Sequence, residues 1–149
     1  MTPVPSNSRS ALLEAHIFVV LLKIADTLNL QAEQVVKAAG LTSAQYNVLR
    51  ILRGAEPAGL ACRGIGDRMI SHDPDITRLL DRMEKHDLIT RERQTDDRRV
   101  VKTRITKKGL DILKTLDQPV RDLHKHQFRH VPAAKLKQLA ELLQELQSM

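Results

Sequence analysis

The segment CRGIGDRMISHDPDITRLLDRMEKHDLITRERQTDDRRVVKTRIT, Cys62–Thr106, decides how this chain folds. It opens with two short helical patterns, Cys62–Met69 and Pro74–His86, split by the break Ile70-Ser71-His72-Asp73. In the first pattern Ile65 and Met69 are four residues apart; in the second Ile76, Leu79, Leu80 and Met83 make one apolar stripe. Asp75, Thr77, Arg78, Asp81, Arg82 and Lys85 fall outside that stripe and face outward. Asp73 suits an N-cap, and Pro74 suits the first helical position, where its missing amide proton would have gone unpaired anyway. The remainder, Thr90–Thr106, reads as a basic β-hairpin with Asp96-Asp97-Arg98-Arg99 at its tip and Val100–Ile105 as its return strand. Helix, turn, helix and basic hairpin together have the layout of a winged helix-turn-helix.

Charge agrees with that layout. The chain carries 24 Lys and Arg against 18 Asp and Glu, a net +6, which suits a polyanionic partner. Between Leu88 and Lys108, eight basic residues face three acidic ones, so this stretch alone holds a net +5. The aromatic residues are Phe18, Tyr46 and Phe128, none within the basic stretch. Binders of RNA and single strands stack bases on aromatic faces, so the pattern favours duplex DNA.

Outward from the segment, the reading is helical on both sides. Leu13, Ile17, Val20, Leu21, Ile24 and Leu28 recur at three- and four-residue spacing in a long helix from Ser10 to Ala39, with Gly40 as its stop. The widening of the apolar set at Ile17–Leu22 predicts a helix buried on most sides. Thr42-Ser43-Ala44-Gln45 predicts a capping box, with Leu41 and Tyr46 as a hydrophobic staple, opening a helix to about Arg53. Beyond the hairpin, Thr106 caps a helix through Leu110, Leu113, Leu116, Val120 and Leu123, in which Pro119 predicts a kink or break near Asp117. A last helix starts at Pro132, and Leu136, Leu139, Leu143 and Leu146 form a narrow seam suited to pairing with another helix. Met1–Ser10, rich in proline and polar residues, reads as a loose arm.

These patterns predict a single domain over residues 1–149, mainly α with a small β-hairpin wing. A winged helix-turn-helix lobe at 41–109 sits between helical regions at 10–40 and 110–149, with a loose arm at 1–9. No signal-peptide pattern is found, and the longest apolar run, Ile17–Leu22, is far below the ~20 residues of a membrane span, so a cytoplasmic protein without membrane partners is expected. The single cysteine, Cys62, cannot form an intramolecular disulfide. No nucleophile elbow, phosphate loop or H-E-x-x-H motif is present, so neither catalysis nor a cofactor is expected.

The region Leu41–Gly109 resembles the MarR family of winged-helix regulators. Leu41-Thr42-Ser43-Ala44-Gln45-Tyr46 resembles the opening of that family's second helix, and Asp75–Glu84 its recognition helix. Leu88-Ile89-Thr90-Arg91 leads into the wing. Asp97-Arg98-Arg99, six further residues and Thr106 match the wing pattern D-x-R-x6-T, and Lys107-Lys108-Gly109 follows as in relatives. Asp87 departs from the pattern by standing where relatives usually have glycine. Pro119 is a second departure. The resemblance implies a homodimer formed by the first and last two helices, with Leu136, Leu139, Leu143 and Leu146 in the interface. It also implies a near-palindromic operator, repression, and release by a small aromatic or lipophilic ligand.

Within that frame Ser71, His72, Asp75, Thr77 and Arg78 lie at the end of the recognition helix that enters the major groove. Arg78 can fork onto a guanine; its alternative is a surface salt bridge with Asp75 or Asp81. Asp75 either accepts from a cytosine amine or orients Arg78. Arg99 is assigned to the minor groove, with Asp97 bracing the hairpin by resemblance. Arg82, Arg91, Arg93, Arg98, Lys102 and Arg104 are phosphate candidates, although alternation prevents all of the strand residues from sharing one face. His16, Lys23, Tyr46 and Arg50 are candidates for a ligand cleft. His124, His126 and His130 are better read as a solvated cluster than as a zinc site. Cys62 lacks the resolving partner of a redox sensor. The competing reading is a helical dimeric adaptor that keeps the winged fold without binding an operator.

Overall fold

The structure is a computed structural model that describes residues 6–148. In chain order come α1 (Ser6–Lys37), α2 (Ser43–Gly54), β1 (Leu60–Ala61), α3 (Cys62–Gly66), α4 (Ile76–Lys85), β2 (Ile89–Arg93), β3 (Val101–Ile105), α5 (Lys107–Phe128) and α6 (Ala133–Gln147). The fold is mainly α with a small wing, as the sequence predicts. The sheet has one strand more than expected: β1 pairs antiparallel with β3, giving the order β1-β3-β2. Two residues are too few to leave a periodic signal.

Helix ends are set by local chemistry. At the end of α1, Gly40 takes a φ of 79°, its N–H donates to Lys37 O and the Leu41 N–H to Val36 O. Val36 and Leu41 are both buried, completing a Schellman stop. The α2 capping box forms as read: Gln45 N–H donates to Thr42 Oγ1 at 3.1 Å, and Thr42 N–H to Gln45 Oε1 at 3.0 Å. At the end of α4, Asp87 occupies the left-handed region with φ 58°, and Leu88 N–H reaches Met83 O. Aspartate therefore supplies there the left-handed residue that ends a helix, a conformation more often taken by glycine.

One core serves the central lobe. Val48, Leu49 and Leu52 of α2, Ile65 of α3, Leu79, Leu80 and Met83 of α4, Ile89 and Ile105 of the sheet, and Leu113 and Leu116 of α5 are all buried in it. Gly109 is buried at the start of α5, where an added Cβ would lie 2.7 Å from Leu88 O and 2.8 Å from Ile105 Cγ1. No side chain larger than hydrogen fits at that crossing.

Several expectations need correction. α1 starts at Ser6 rather than Ser10, so residues 6–9 of the expected arm are helical and 1–5 lie outside the described residues. α3 ends at Gly66, three residues before Met69. α4 starts two residues after Pro74, because Asp73 Oδ1 accepts the Asp75 N–H in a local turn and the cap passes to Asp75. α5 continues through Pro119 with no break at Asp117. Both oxygens of the Asp117 carboxylate accept from Arg53 Nη1 at 3.0 Å, and Leu116 and Val120 are buried, so tertiary contacts hold the helix across its missing bond. Leu21, Leu22, Ile17, Phe18 and Val19 of α1 are exposed in the single chain rather than buried on most sides.

Candidate nucleic-acid interface

The recognition helix α4 begins with a double use of one carboxylate. Asp75 is the N-cap, its Oδ1 accepting the Arg78 N–H at 3.4 Å, while Oδ2 forms an ion pair with Arg78 Nε at 3.1 Å. Of the alternatives for Arg78 and Asp75, the isolated chain thus places the two together. Ser71, His72, Thr77 and Arg82 are exposed along the same end and flank of the motif.

Arg91 does not join them. Its guanidinium lies against α4, with Nε 3.0 Å and Nη2 2.6 Å from Glu84 Oε2, and Nη2 also 2.6 Å from Asp81 Oδ1. The hydrogen bond to Glu84 is the largest cause holding its pKa above the usual arginine value. Arg91 is a strut between wing and recognition helix, which corrects its reading as a phosphate contact. It also removes two carboxylates from the field of α4. Among the described residues Arg82, Arg98, Arg99 and Lys102 form no ion pair, so their charges remain uncompensated by a protein partner.

The wing tip is braced as the resemblance implies. Asp97 Oδ1 accepts the Arg99 N–H at 3.0 Å and Asp97 O accepts the Val100 N–H, leaving the Arg98 and Arg99 side chains exposed. Register sorts the strand residues. Arg91 and Arg93 share the core-side face with their partners Thr103 and Val101, while Lys102 lies opposite Glu92 on the outer face with Arg104. At the wing's base the Thr106 hydroxyl donates to Asp87 O at 2.6 Å and accepts the Gly109 N–H at 3.1 Å. Lys108 Nζ donates to His86 O at 2.8 Å, satisfying the end of α4. Wing, recognition helix and α5 are therefore fastened at one corner.

A cleft of about 890 Å³ opens between the C-terminal half of α1, α2, the end of α5 and the turn before α4. Tyr46 and Arg50 line it, with the Arg50 guanidinium 5.9 Å from the Tyr46 ring centroid. His16 and Lys23 do not line it, because they stand further toward the N-terminus of α1 than Asp26, the first α1 residue in its wall. Sequence reasoning missed Asn47, His124 and Gln127 in this wall. Asn47 Oδ1 accepts the Ile70 N–H at 2.8 Å, and Gln127 Nε2 donates to Gln31 Oε1 at 2.9 Å. Neither link joins neighbours in sequence, so no spacing signals it. No metal-binding group of His, Cys, Asp and Glu is found among the described residues; His126 and His130 instead contact Arg129. Cys62 is half-buried at the start of α3.

The sequence profile of the MarR family matches residues 41–101. The crystal structure of a MarR transcription factor from Planctomyces limnophilus is 33% identical, with 97% of this chain and 98% of that one covered and a TM-score of 0.67. The homoprotocatechuate degradative operon repressor of Escherichia coli is 28% identical over 111 residues, 74% of each chain. A mutant MarR from Escherichia coli, solved with operator DNA, shares the fold at a TM-score of 0.79 and 22% identity, covering 87% of this chain and 92% of that one. The chain belongs to the MarR family of transcriptional regulators. No helix among the described residues is long and apolar enough to cross a membrane.

Proposed function

We propose that this protein is a cytoplasmic, homodimeric repressor that binds a near-palindromic duplex operator and leaves it when a small aromatic or lipophilic ligand binds. The observation that carries the reading is the sorting of charge. The recognition helix has its carboxylates Asp81 and Glu84 tied to Arg91, and Asp75 tied to Arg78, whereas Arg82, Arg98 and Arg99 are exposed without ionic partners. A surface built to meet phosphate keeps its cations free and its anions occupied.

In this reading residues 41–109 form the DNA-binding lobe, with α4 in the major groove and the wing in the minor groove. Residues 10–40 and 110–149 form the dimerisation region. Support comes from Ile17, Phe18 and Leu22 on α1 and Leu139, Leu143 and Leu146 on α6, all exposed in one chain and available to a second copy. The cleft lined by Tyr46 and Arg50 also touches Ser71, His72 and Pro74, so a ligand there would press on the turn that leads into α4.

Titration of the purified protein against duplex DNA from upstream of its own coding region, at low and physiological salt, tests the reading. Specific binding whose log affinity falls with log salt by about 0.9 per phosphate neutralised is expected. Salt-insensitive or undetectable binding to every duplex would leave an adaptor with a winged fold.

A further inference from the structure

We propose that Asp75 is a positioning residue for base reading: it holds Arg78 so that the free edge of its guanidinium is presented to a guanine. The inference rests on the operator-binding reading above and specifies how α4 discriminates sequence.

The geometry carries it in three steps. First, the Asp75 carboxylate meets Arg78 with both oxygens, Oδ1 accepting the Arg78 N–H at the helix start and Oδ2 lying 3.1 Å from Arg78 Nε in an ion pair. It cannot turn away from Arg78 without giving up the cap. Second, neither Nη1 nor Nη2 of Arg78 forms a hydrogen bond or ion pair among the described residues, so the terminal edge of the guanidinium is left as a two-pronged donor. Guanine presents O6 and N7 as two adjacent acceptors in the major groove and fits such a fork. Third, among the described residues no other carboxylate pairs with Arg78, and Asp81 and Glu84 are both held by Arg91.

Asp75 also steers by repulsion. Its side chain is 50% exposed beside an Arg78 that is 79% exposed, so a phosphate approaching Arg78 meets a carboxylate as well. A base edge carries no net charge and does not. Arg82, one turn along α4 and without an acidic partner, has the opposite character and suits a phosphate. The two arginines of one helix are thereby given different tasks by their neighbours.

The test uses Asp75→Asn. Asparagine caps a helix as well as aspartate does, so the fold and its melting temperature are retained while the charged partner of Arg78 is lost. Wild type, Asp75→Asn and Arg82→Ala are each used to select duplexes from a random pool, and preferred sites are then compared by titration with single-base changes. The wild type is expected to require one G·C pair per half-site that Asp75→Asn discriminates about tenfold less, while binding mismatched DNA more tightly. Arg82→Ala is expected to weaken all sequences alike and to lower the salt slope by about 1. An Asp75→Asn variant that keeps every base preference of the wild type would overturn the inference and reduce Asp75 to a cap. A wild type that selects no sequence would instead overturn the operator-binding reading, and the inference with it.

Discussion

Arg91 and Glu84 are joined at three points. The backbone N–H of Arg91 donates to Oε1 at 3.2 Å, Nε to Oε2 at 3.0 Å and Nη2 to Oε2 at 2.6 Å. The first strand of the wing is thus bolted to the recognition helix by a carboxylate that accepts from both main chain and side chain. Arg91→Ala removes all side-chain contributions and strands Glu84 and Asp81 against each other, at an expected cost of about 1–3 kcal/mol. For a domain of this size each kcal/mol corresponds to about 2–4 °C in Tm, which calorimetry resolves. DNA affinity should fall with the loosened wing, although Arg91 touches no DNA in this account.

The same pair sets a pH expectation. The Arg91 pKa is raised in the folded state, principally by the hydrogen bond to Glu84, so the stability it contributes is fully present below the unfolded arginine value. It is lost only as pH rises through the higher folded value. The Tm difference between wild type and Arg91→Ala should therefore stay constant from about pH 7 to pH 10. A difference that shrinks across that interval would mean another group governs the strut.

Gly109→Ala should destabilise, even though alanine is the better helix former by roughly 1 kcal/mol. The new Cβ would meet the Leu88 carbonyl at 2.7 Å and Leu49 Cδ2 at 3.2 Å, and a backbone atom cannot move aside as a flexible side chain does. A net loss of about 2 kcal/mol or more in urea unfolding is expected. A gain in stability would show that α5 can shift relative to the wing without cost.

Glutamate at Leu139 and Leu143 should give monomers. Both leucines are exposed on α6 in the single chain, and placing charges across an apolar seam costs more than the dimer gains there. Sedimentation of Leu139→Glu/Leu143→Glu as an intact dimer would move the interface elsewhere.

What the sequence made legible was local. The Thr42–Gln45 capping box and the stop at Gly40 depend on neighbours three to five residues apart, and each forms as read. The apolar stripe of α4 likewise requires only helical spacing. What was hidden depends on partners brought together by the fold. Arg91 looked like its basic neighbours because nothing in the wing announces that Glu84 and Asp81 stand beneath it. His16 and Lys23 stand apart from Tyr46 and Arg50 because the 32-residue α1 passes several neighbours and only its C-terminal half lines the cleft. The two-residue shift at the start of α4 arose from two aspartates competing for one capping role. Pro119 illustrates the opposite case: the Arg53–Asp117 pair and the buried Leu116 and Val120 hold α5 together across the lost hydrogen bond.

Protection footprinting of a selected operator, with wild type and Arg99→Ala side by side, tests the central claim most directly. The account predicts protection of guanine N7 from methylation in two patches about one helical turn apart, where the paired recognition helices fill successive major grooves. It also predicts protection of the flanking minor grooves from hydroxyl radicals, lost in Arg99→Ala while the major-groove patches persist at higher protein concentration. Identical minor-groove footprints for the two proteins would contradict the role given to the wing, and unprotected guanines throughout would contradict the role given to α4.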